Sequence, residues 1–386
     1  MLIESPLTGV VAEVLVGEGT GVRAGAAVLV VEAMKMHHEV VAPAAGVVRE
    51  LAVAVGEQVA EGQRLFRVEA TEDVAAEGDG ADGPAREALG DAVRPDLAEV
   101  VERRRRAQDD AARPEAVAKR HASGLRTARE NVADLCDPHS FSEYGALTLA
   151  AQRARRSFDE LVEKTPGDGI VTGIGTINAA LHGEERARTA VLAYDYTVLA
   201  GTQGIRNHRK TDRLLELAER HRLPVVLFAE GGGGRPGDTD SSELFHLIVP
   251  SFQTFARLSG LVPRVGIVSG RCFAGNAALL GCCDVVIATP EASIGMGGPA
   301  MIEGGGLGSF APEQVGPVDV QESNGVIDVL AADEAEAVQV AKRFLSYFQG
   351  PLEDWDCADQ RLLRAAIPAD PKRVHDPRAL LDTLAD

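Results

Sequence analysis

Two patterns of hydrophobic positions divide the chain. Up to about residue 70, short β-branched runs such as Gly-Val-Val and Val-Leu-Val-Val are broken by glycines, which is typical of short strands. From about residue 167, short and wholly apolar runs alternate with longer amphipathic stretches, which predicts buried strands between helices. The predicted strands are residues 225–229, 265–268 and 285–288.

Two of the amphipathic stretches predict helices. Residues 211–222 place Leu214, Leu217 and Ala218 on one face and charged residues on the other, as a helix packed on a sheet requires. Residues 334–347 form a second helix of this kind. Because strands and helices alternate, we predict an α/β domain whose sheet is covered on both faces. The apolar stripe of the second helix consists of Ala337, Val340, Ala341, Phe344 and Leu345.

The first seventy residues contain an internal repeat with an offset of 37 residues. Residues 6–32 and 43–69 share 11 identities in 27 positions without a gap. This repeat predicts a small all-β domain with two-fold pseudosymmetry, folded as a flattened barrel or sandwich. The two halves join at residues 32–39, where a hairpin turn would expose one side chain.

The exposed side chain at this join is Lys35, the only lysine among the first 118 residues. An isolated lysine at a turn is normally just a solubilising charge. Here, however, Met34 and Met36 flank it, and exposed methionines are unusual because the thioether side chain prefers burial. Its place at the pseudosymmetry point also favours a specific role.

The motif Glu32-Ala33-Met34-Lys35-Met36 resembles the biotin-attachment motif of biotin carboxyl carrier domains, and the resemblance covers residues 1–70. It implies a biotinyl domain of the biotinyl/lipoyl-like flattened-barrel fold. It also implies biotin as a covalent cofactor on Lys35, attached by a biotin ligase. Lipoyl domains are similar, but their modified lysine usually has Asp before it and Ala after it, so Met34 and Met36 favour biotin.

Composition and charge argue against several classes of protein. The chain has 386 residues and a formal charge of −19, which argues against nucleic-acid binding because phosphate would be repelled. It has no apolar run of 18 residues and no basic leader, so neither a membrane span nor secretion is predicted. Its five cysteines form no Cys-x-x-Cys pair. We therefore predict no zinc or other metal site, no disulfide framework and a cytoplasmic location.

Two segments follow the first domain. Residues 71–93 contain seven acidic residues, one arginine and no aromatic residue, which predicts a flexible acidic linker. Residues 94–130 are basic and helix-prone, and Pro114 should divide them into two helices. The run Arg103–Arg106 suggests nucleic-acid binding, but a solvated helix face beside Asp and Glu is the simpler interpretation.

Three glycine-rich segments follow predicted strands, at residues 230–238, 273–276 and 295–306. Glycine lets backbone N–H groups turn toward a ligand, where they can hold an anion or a developing oxyanion. The first segment lacks the Gly-Lys-Ser/Thr ending of a Walker A loop and continues with Arg235-Pro236. A turn is the simplest role for one such run, but three at strand ends favour a ligand cleft.

The order of these segments resembles a second family. Residues 119–144 are similar to the opening segment of acyl-CoA carboxylase carboxyltransferase β-type subunits, and the segments at 167–175, 194–204, 230–235, 271–284 and 295–308 match that family in order. The resemblance implies an α/β crotonase-like ββα superhelix over residues 131–386, forming an N-terminal acyl-CoA domain. It also implies transfer of carboxylate from N1-carboxybiotin to the α-carbon of an acyl-CoA substrate.

The resemblance also assigns residues. Gly232 and Gly233 correspond to the oxyanion pair on the thioester side, while freed biotin is itself the base. The run Glu230–Gly234 departs from the commoner Asp-Ser-Gly-Gly-Ala of the family and looks closest to a long multidomain branch. The residues expected to line the acyl-CoA cleft are Gly275, Asn276, Gly297 and Gly298.

Partner chains follow from the same resemblance. Family chains carry a second, similar domain that binds biotin, and residues 376–386 resemble its opening, so we expect a C-terminal carboxyltransferase half as a partner or in an oligomer. An ATP-dependent biotin carboxylase is the other expected partner. The predicted function is carboxylation of an acetyl- or propionyl-type acyl-CoA. A non-catalytic carrier and assembly fragment, or a decarboxylase component on the same fold, are the alternatives.

Overall fold

The computed structural model describes residues 1–70, 93–240 and 249–385. They form two compact units, Met1–Arg94 and Pro95–Asp386. Most of the predicted linker, residues 71–92, lies outside the described residues, so its predicted flexibility stays a prediction.

The first unit consists of strands on two sheets that enclose a valine-rich core. One sheet has the order β1-β8-β6-β3 and the other the order β5-β4-β2-β7. The strands are β1 (Leu2–Glu4), β2 (Gly9–Val14), β3 (Gly21–Val22), β4 (Ala27–Ala33), β5 (Met36–Val41), β6 (Gly46–Arg49), β7 (Gln58–Val59) and β8 (Arg64–Ala70).

The repeat is visible in this topology. A shift of 37 residues carries β2 onto β6, β4 onto β8 and β3 onto β7, so each strand takes the same place in the other sheet. Equivalent residues share the core, since Val11 and Val48 are both completely buried, as is Val31, and Val68 is 1% exposed. The predicted pseudosymmetric all-β domain is therefore confirmed.

The second unit is built on a seven-stranded sheet with the order β17-β15-β13-β12-β11-β10-β9, beside a two-stranded parallel sheet of β14 and β16. In the large sheet, β11, β12, β13, β15 and β17 run parallel, while β10 is antiparallel to both of its neighbours. The three predicted strands correspond to β12, β13 and β15. The strands are β9 (Ser142–Glu143), β10 (Ile170–Thr176), β11 (Arg188–Tyr194), β12 (Val225–Phe228), β13 (Arg264–Val268), β14 (Arg271–Phe273), β15 (Val285–Ala288), β16 (Ser293–Gly295) and β17 (Val329–Leu330).

Helices cover both faces of the large sheet, as the alternating pattern predicts. Leu214 packs in one core cluster with Leu192 and Leu227, while Ala337 packs in the other with Val191 and Val226. The helices are α1 (Pro95–Gln108), α2 (Pro114–Ala122), α3 (Ala128–Leu135), α4 (Phe158–Lys164), α5 (Ala179–His182), α6 (Glu184–Ala187), α7 (Ile205–His221), α8 (Ser251–Arg257), α9 (Gly275–Leu280), α10 (Pro299–Gly304), α11 (Val318–Ser323), α12 (Glu334–Ser346), α13 (Leu363–Ala366) and α14 (Pro377–Leu384).

The segment predicted as separate, residues 94–130, packs as part of the second unit. Pro114 is the first residue of α2 and separates it from α1, as expected. The run Arg103–Arg106 is exposed, and Arg103, Arg105 and Arg106 pair with glutamates of the same helix, which confirms a solvated face there. Arg120 on α2 differs, because it is 8% exposed and reaches into the α/β domain.

Candidate active site

The predicted attachment residue lies at the tip of a two-residue hairpin. β4 ends at Ala33 and β5 begins at Met36, and Met34 and Lys35 between them have φ angles of 52° and 64°. Positive φ at both central residues is the geometry of a type I′ turn, whose twist matches that of the strands. The side chain of Lys35 is exposed, Met34 is 97% exposed and Met36 is 61% exposed. The hairpin therefore presents the lysine to any enzyme or partner that approaches.

The first glycine-rich run, which we call the glycine segment (residues 230–235), leaves the end of β12 and contacts the small sheet. Gly231 N donates to Arg271 O at 2.7 Å, and Phe273 N donates to Gly231 O at 2.9 Å. A Cβ at Gly231 would overlap the Asn276 side chain and Gly201 O. Glycine is thus required here by the close approach of two neighbouring segments.

Most N–H groups of the glycine segment are already engaged within the fold. Gly232 N donates to Ala200 O at 3.1 Å, and Gly233 N donates to the Asn276 Oδ1 at 3.0 Å. Gly234 is exposed, and its N–H donates to no residue in the described part of the chain. The predicted donors Gly232 and Gly233 thus already donate within the fold, whereas the exposed Gly234 N–H donates to none of the described residues.

The structure brings the three glycine-rich segments together. Ala274 N donates to Gly295 O at 3.0 Å, and Gly298 lies against the ring of Phe273. Gly275 is the first residue of α9, and its N lies 3.5 Å from the point where a Cβ of Gly233 would stand. The segments meet because β12 and β14 end close to each other.

The four residues predicted to line a cleft differ in exposure. Gly275, Gly297 and Gly298 are half-buried. Asn276 is completely buried, and besides accepting from Gly233 it approaches Gly201 O at 3.4 Å. Its side chain therefore supports the glycine segment, and its predicted place in the acyl-CoA cleft stays a prediction.

Buried ion pairs hold both ends of the glycine segment. At its start, Arg120 Nη1 and Nη2 donate to the two carboxylate oxygens of Glu230 at 2.7 and 2.5 Å. At its end, Arg235 donates to Asp168, and the two side chains are 3% and 0% exposed. Sequence reasoning missed Arg120, Glu230 and Asp168 as site residues, because only the tertiary fold pairs residues 110 positions apart.

Burial dominates the electrostatics of these groups. It raises the pKa of the Glu230 carboxyl against the opposing influence of Arg120. It likewise raises the pKa of Asp168 against that of Arg235. Nearby, burial lowers the pKa of Lys210 to about 8, and its ammonium donates to the carbonyl oxygens of residues 167 and 170 at 2.8 and 2.5 Å. This lysine orders the turn that carries Asp168.

A cavity of about 670 Å³ lies between α2 and the start of the glycine segment. Its wall combines cationic and anionic side chains with the apolar and backbone surfaces that ligand pockets typically offer. Its lining includes Lys119, Arg120, Tyr196, Ala200, Glu230 and Arg271, and none of the four predicted cleft residues belongs to it. In the described ranges, we find no group of three or more His, Cys, Asp or Glu side chains placed to hold a metal ion. Within the same ranges, every helix is too short or too polar to cross a bilayer.

Two known families match the two units of the chain, one each. The profile of the carboxyl transferase domain matches residues 119–386, and the profile described as biotin-requiring enzyme matches residues 1–68.

The chain belongs to the carboxyl transferase domain family.

Its N-terminal unit is a biotin-requiring-enzyme domain fused to the carboxyl transferase domain. This fusion confirms the predicted fold class and biotin as the covalent cofactor.

Curated relatives match the second unit. The chain is 29% identical over 283 residues to the methylmalonyl-CoA carboxyltransferase 12S subunit of Propionibacterium freudenreichii subsp. shermanii, covering 70% of this chain and 51% of the relative. It is 32% identical over 252 residues to the biotin-dependent long chain acyl-coenzyme A carboxylase beta4 subunit of Mycobacterium tuberculosis, covering 65% and 45%. The chain thus spans about half the length of the curated relatives it matches.

Solved structures extend the likeness to both units. A single-chain, multi-domain long-chain acyl-CoA carboxylase is 51% identical with a TM-score of 0.71, and the match covers 99% of this chain and 36% of that one. The transcarboxylase 12S hexamer, solved with hydrolysed methylmalonyl-coenzyme A bound, is 26% identical with a TM-score of 0.62, covering 77% and 57%.

Proposed function

We propose that the chain is the biotin carrier and acyl-CoA-binding part of a biotin-dependent acyl-CoA carboxylase. The observation that carries this proposal is one chain with both a solvent-facing lysine on a hairpin of a biotin domain and a glycine segment with a free N–H. Lys35 is the proposed attachment residue, with Met34 and Met36 as the flanks that a biotin ligase reads. Biotin, when bound there, would supply an activated carboxylate and would accept a proton.

In this proposal the second unit binds the acyl-CoA and stabilises its enolate. Loss of the α-proton places negative charge on the thioester oxygen, and fixed backbone N–H groups can stabilise that charge without reorganising. We assign Gly234 N–H as the first donor, which replaces Gly232 and Gly233. Gly275 N–H is the second, because the first amides of a helix have no intrahelical acceptor. Gly297 and Gly298 would line the same cleft.

We assign the cavity between α2 and the glycine segment to the acyl-CoA. Lys119 on its lining is a cation that suits the phosphates of coenzyme A, while Arg271 there is paired with Glu313 at 2.5 Å. The proposed partners are a biotin ligase, an ATP-dependent biotin carboxylase and a C-terminal carboxyltransferase half, in a chain or an oligomer. All five cysteines are free thiols, which supports a reducing, cytoplasmic setting.

The test is a titration followed by an activity assay. The full chain, biotinylated by co-expression with a biotin ligase, is titrated calorimetrically with acetyl-, propionyl- and palmitoyl-CoA, since the named relatives span short and long acyl groups. We expect binding of at least one thioester, and a carboxylated product once biotin carboxylase, ATP, bicarbonate and a C-terminal half are added. Binding without transfer would favour the non-catalytic carrier hypothesis, and no binding would refute the acyl-CoA assignment.

A further inference from the structure

Arg120 and Glu230 form a bidentate ion pair in the interior of the second unit. Both guanidinium nitrogens donate to separate carboxylate oxygens, at 2.7 and 2.5 Å. The side chains are only 8% and 10% exposed. The remaining Nε of Arg120 donates to Arg126 O at 2.8 Å, so all three nitrogens have acceptors. The planar fork of arginine matches a carboxylate in this way, whereas lysine offers only a point charge.

This pair links two walls of the cavity. Arg120 belongs to α2, which also supplies Ala116 and Lys119 to the lining, while Glu230 is the first residue of the glycine segment.

We infer that Arg120 and Glu230 are positioning residues, which hold the glycine segment in the conformation that leaves the Gly234 N–H free. This inference rests on the proposed function only for what Gly234 binds. A run of four glycines has no side chains of its own to restrict it, and glycine has the largest conformational freedom to lose. Anchoring its two ends, at Glu230 and at Arg235, removes that freedom before a ligand arrives.

Arg120 is the cation that separates the carboxylates of Glu230 and Glu334. Glu334 approaches Arg120 at 3.9 Å, and Asp195 is paired with Arg113 at 3.0 Å rather than with Arg120. The ring of Tyr196 lies 5.9 Å from the Arg120 guanidinium carbon. Loss of Arg120 would therefore leave Glu230 and Glu334 close together without their shared cation, and the two carboxylates would repel each other.

The first test measures amide hydrogen exchange in the full chain without ligand. We expect Arg120→Met and Glu230→Gln to speed the exchange of a peptide covering residues 229–236 by about tenfold or more. The matched control is Arg257→Met, because Arg257 also donates through two nitrogens, Nε and Nη2, to the two carboxylate oxygens of Glu219, at 3.2 and 3.0 Å, on an exposed surface. Unchanged exchange of this peptide in the folded Arg120→Met variant would overturn the inference.

A second variant covers the case in which Arg120→Met does not fold. In Arg120→Met/Glu230→Met both charges are replaced by apolar side chains of similar length, which often restores stability. We expect this double variant to fold while exchange of the glycine segment stays fast. Slow exchange in the double variant would show that packing, and not the ion pair, holds the segment, and the inference would be wrong.

The final measurement tests whether the Arg120–Glu230 pair affects ligand binding. Propionyl-CoA is compared with its thioether analogue, which lacks the carbonyl oxygen, in the wild-type chain and in Arg120→Met. We expect the wild type to prefer the thioester about tenfold, as one backbone hydrogen bond to its neutral carbonyl oxygen would give, and the variant to lose this preference. A retained preference in the variant would contradict the inference. If the wild type bound neither ligand, the proposed function would fail, while the exchange experiment would still decide the role of the pair.

Discussion

Gly9 and Gly46 occupy equivalent positions in the two halves of the first unit, and each faces a carbonyl oxygen of the adjacent strand. A Cβ on Gly9 would overlap Glu32 O, and a Cβ on Gly46 would overlap Glu69 O. Both the glycines and the two glutamates are 37 residues apart. The pseudosymmetry is therefore one of atomic packing as well as of strand order.

We expect Gly9→Ala and Gly46→Ala to destabilise the first unit by similar amounts, about 2 kcal/mol each, because the strands must separate to admit a methyl group. Hydrogen exchange of residues 1–70 in the full chain measures this. Gly17→Ala is the control, since Gly17 is exposed and its Cβ would meet nothing within 4 Å. A large difference between the two substitutions would contradict the equivalence.

Lys35→Arg should abolish the covalent addition of biotin during co-expression with a biotin ligase, because a guanidinium does not form the amide. Intact mass of the full chain is the measurement, and one added biotinyl group is expected for the wild type. Lys119→Arg, which changes another exposed lysine, should leave the mass gain intact. A biotinylated Lys35→Arg chain would place the attachment site elsewhere.

Arg235→Met should destabilise the second unit by about 3–5 kcal/mol, because it leaves the Asp168 carboxylate buried without its cation. Among the described residues, the Asp168 carboxylate would then accept only from Asn207 N, at 2.7 Å. Urea unfolding of the full chain measures the loss. The exposed pair of Arg257 and Glu219 is the control, since Arg257→Met should lower the free energy of unfolding by at most about 1 kcal/mol. Equal losses in the two variants would show that burial of the pair is unimportant.

His208 should make the stability of the second unit depend on pH. Burial, reinforced by the charge of Arg235, lowers the pKa of His208 to about 4 from 6.5, while its Nδ1 lies 3.1 Å from Ser251 Oγ. Because the unfolded chain binds a proton more readily, the stability contributed by neutral His208 is complete above pH 6.5. It is lost as the pH falls toward 4, by up to about 3 kcal/mol.

The measurement is the free energy of unfolding between pH 7.5 and 4, compared between the wild type and His208→Gln. The variant should lose less stability than the wild type as the pH falls. His221→Gln changes an exposed histidine at the end of the same helix, and it should retain the wild-type pH dependence. Parallel curves for the wild type and His208→Gln would contradict the prediction.

Local patterns in the sequence determined much of this architecture. The 37-residue repeat and the motif around Lys35 predicted the first unit and its exposed hairpin, because alternating β-branched residues and glycines encode strands and turns within a few positions. The apolar runs and helical stripes likewise predicted β12, β13, β15, α7 and α12. Each of these signals lies within a short stretch of chain, where side-chain periodicity decides which face is buried.

The tertiary structure alone decided which backbone groups are available for chemistry. The sequence places four glycines in a row. In the fold, Gly232 N–H donates to Ala200 and Gly233 N–H donates to Asn276, whereas Gly234 N–H donates to none of the described residues. In the same way, the sequence predicts Arg120 as one residue of a basic helix, and only the tertiary structure shows that it pairs with Glu230. A hydrogen-bond or ion-pair partner far along the chain leaves no periodic trace, so only the packed fold determines it.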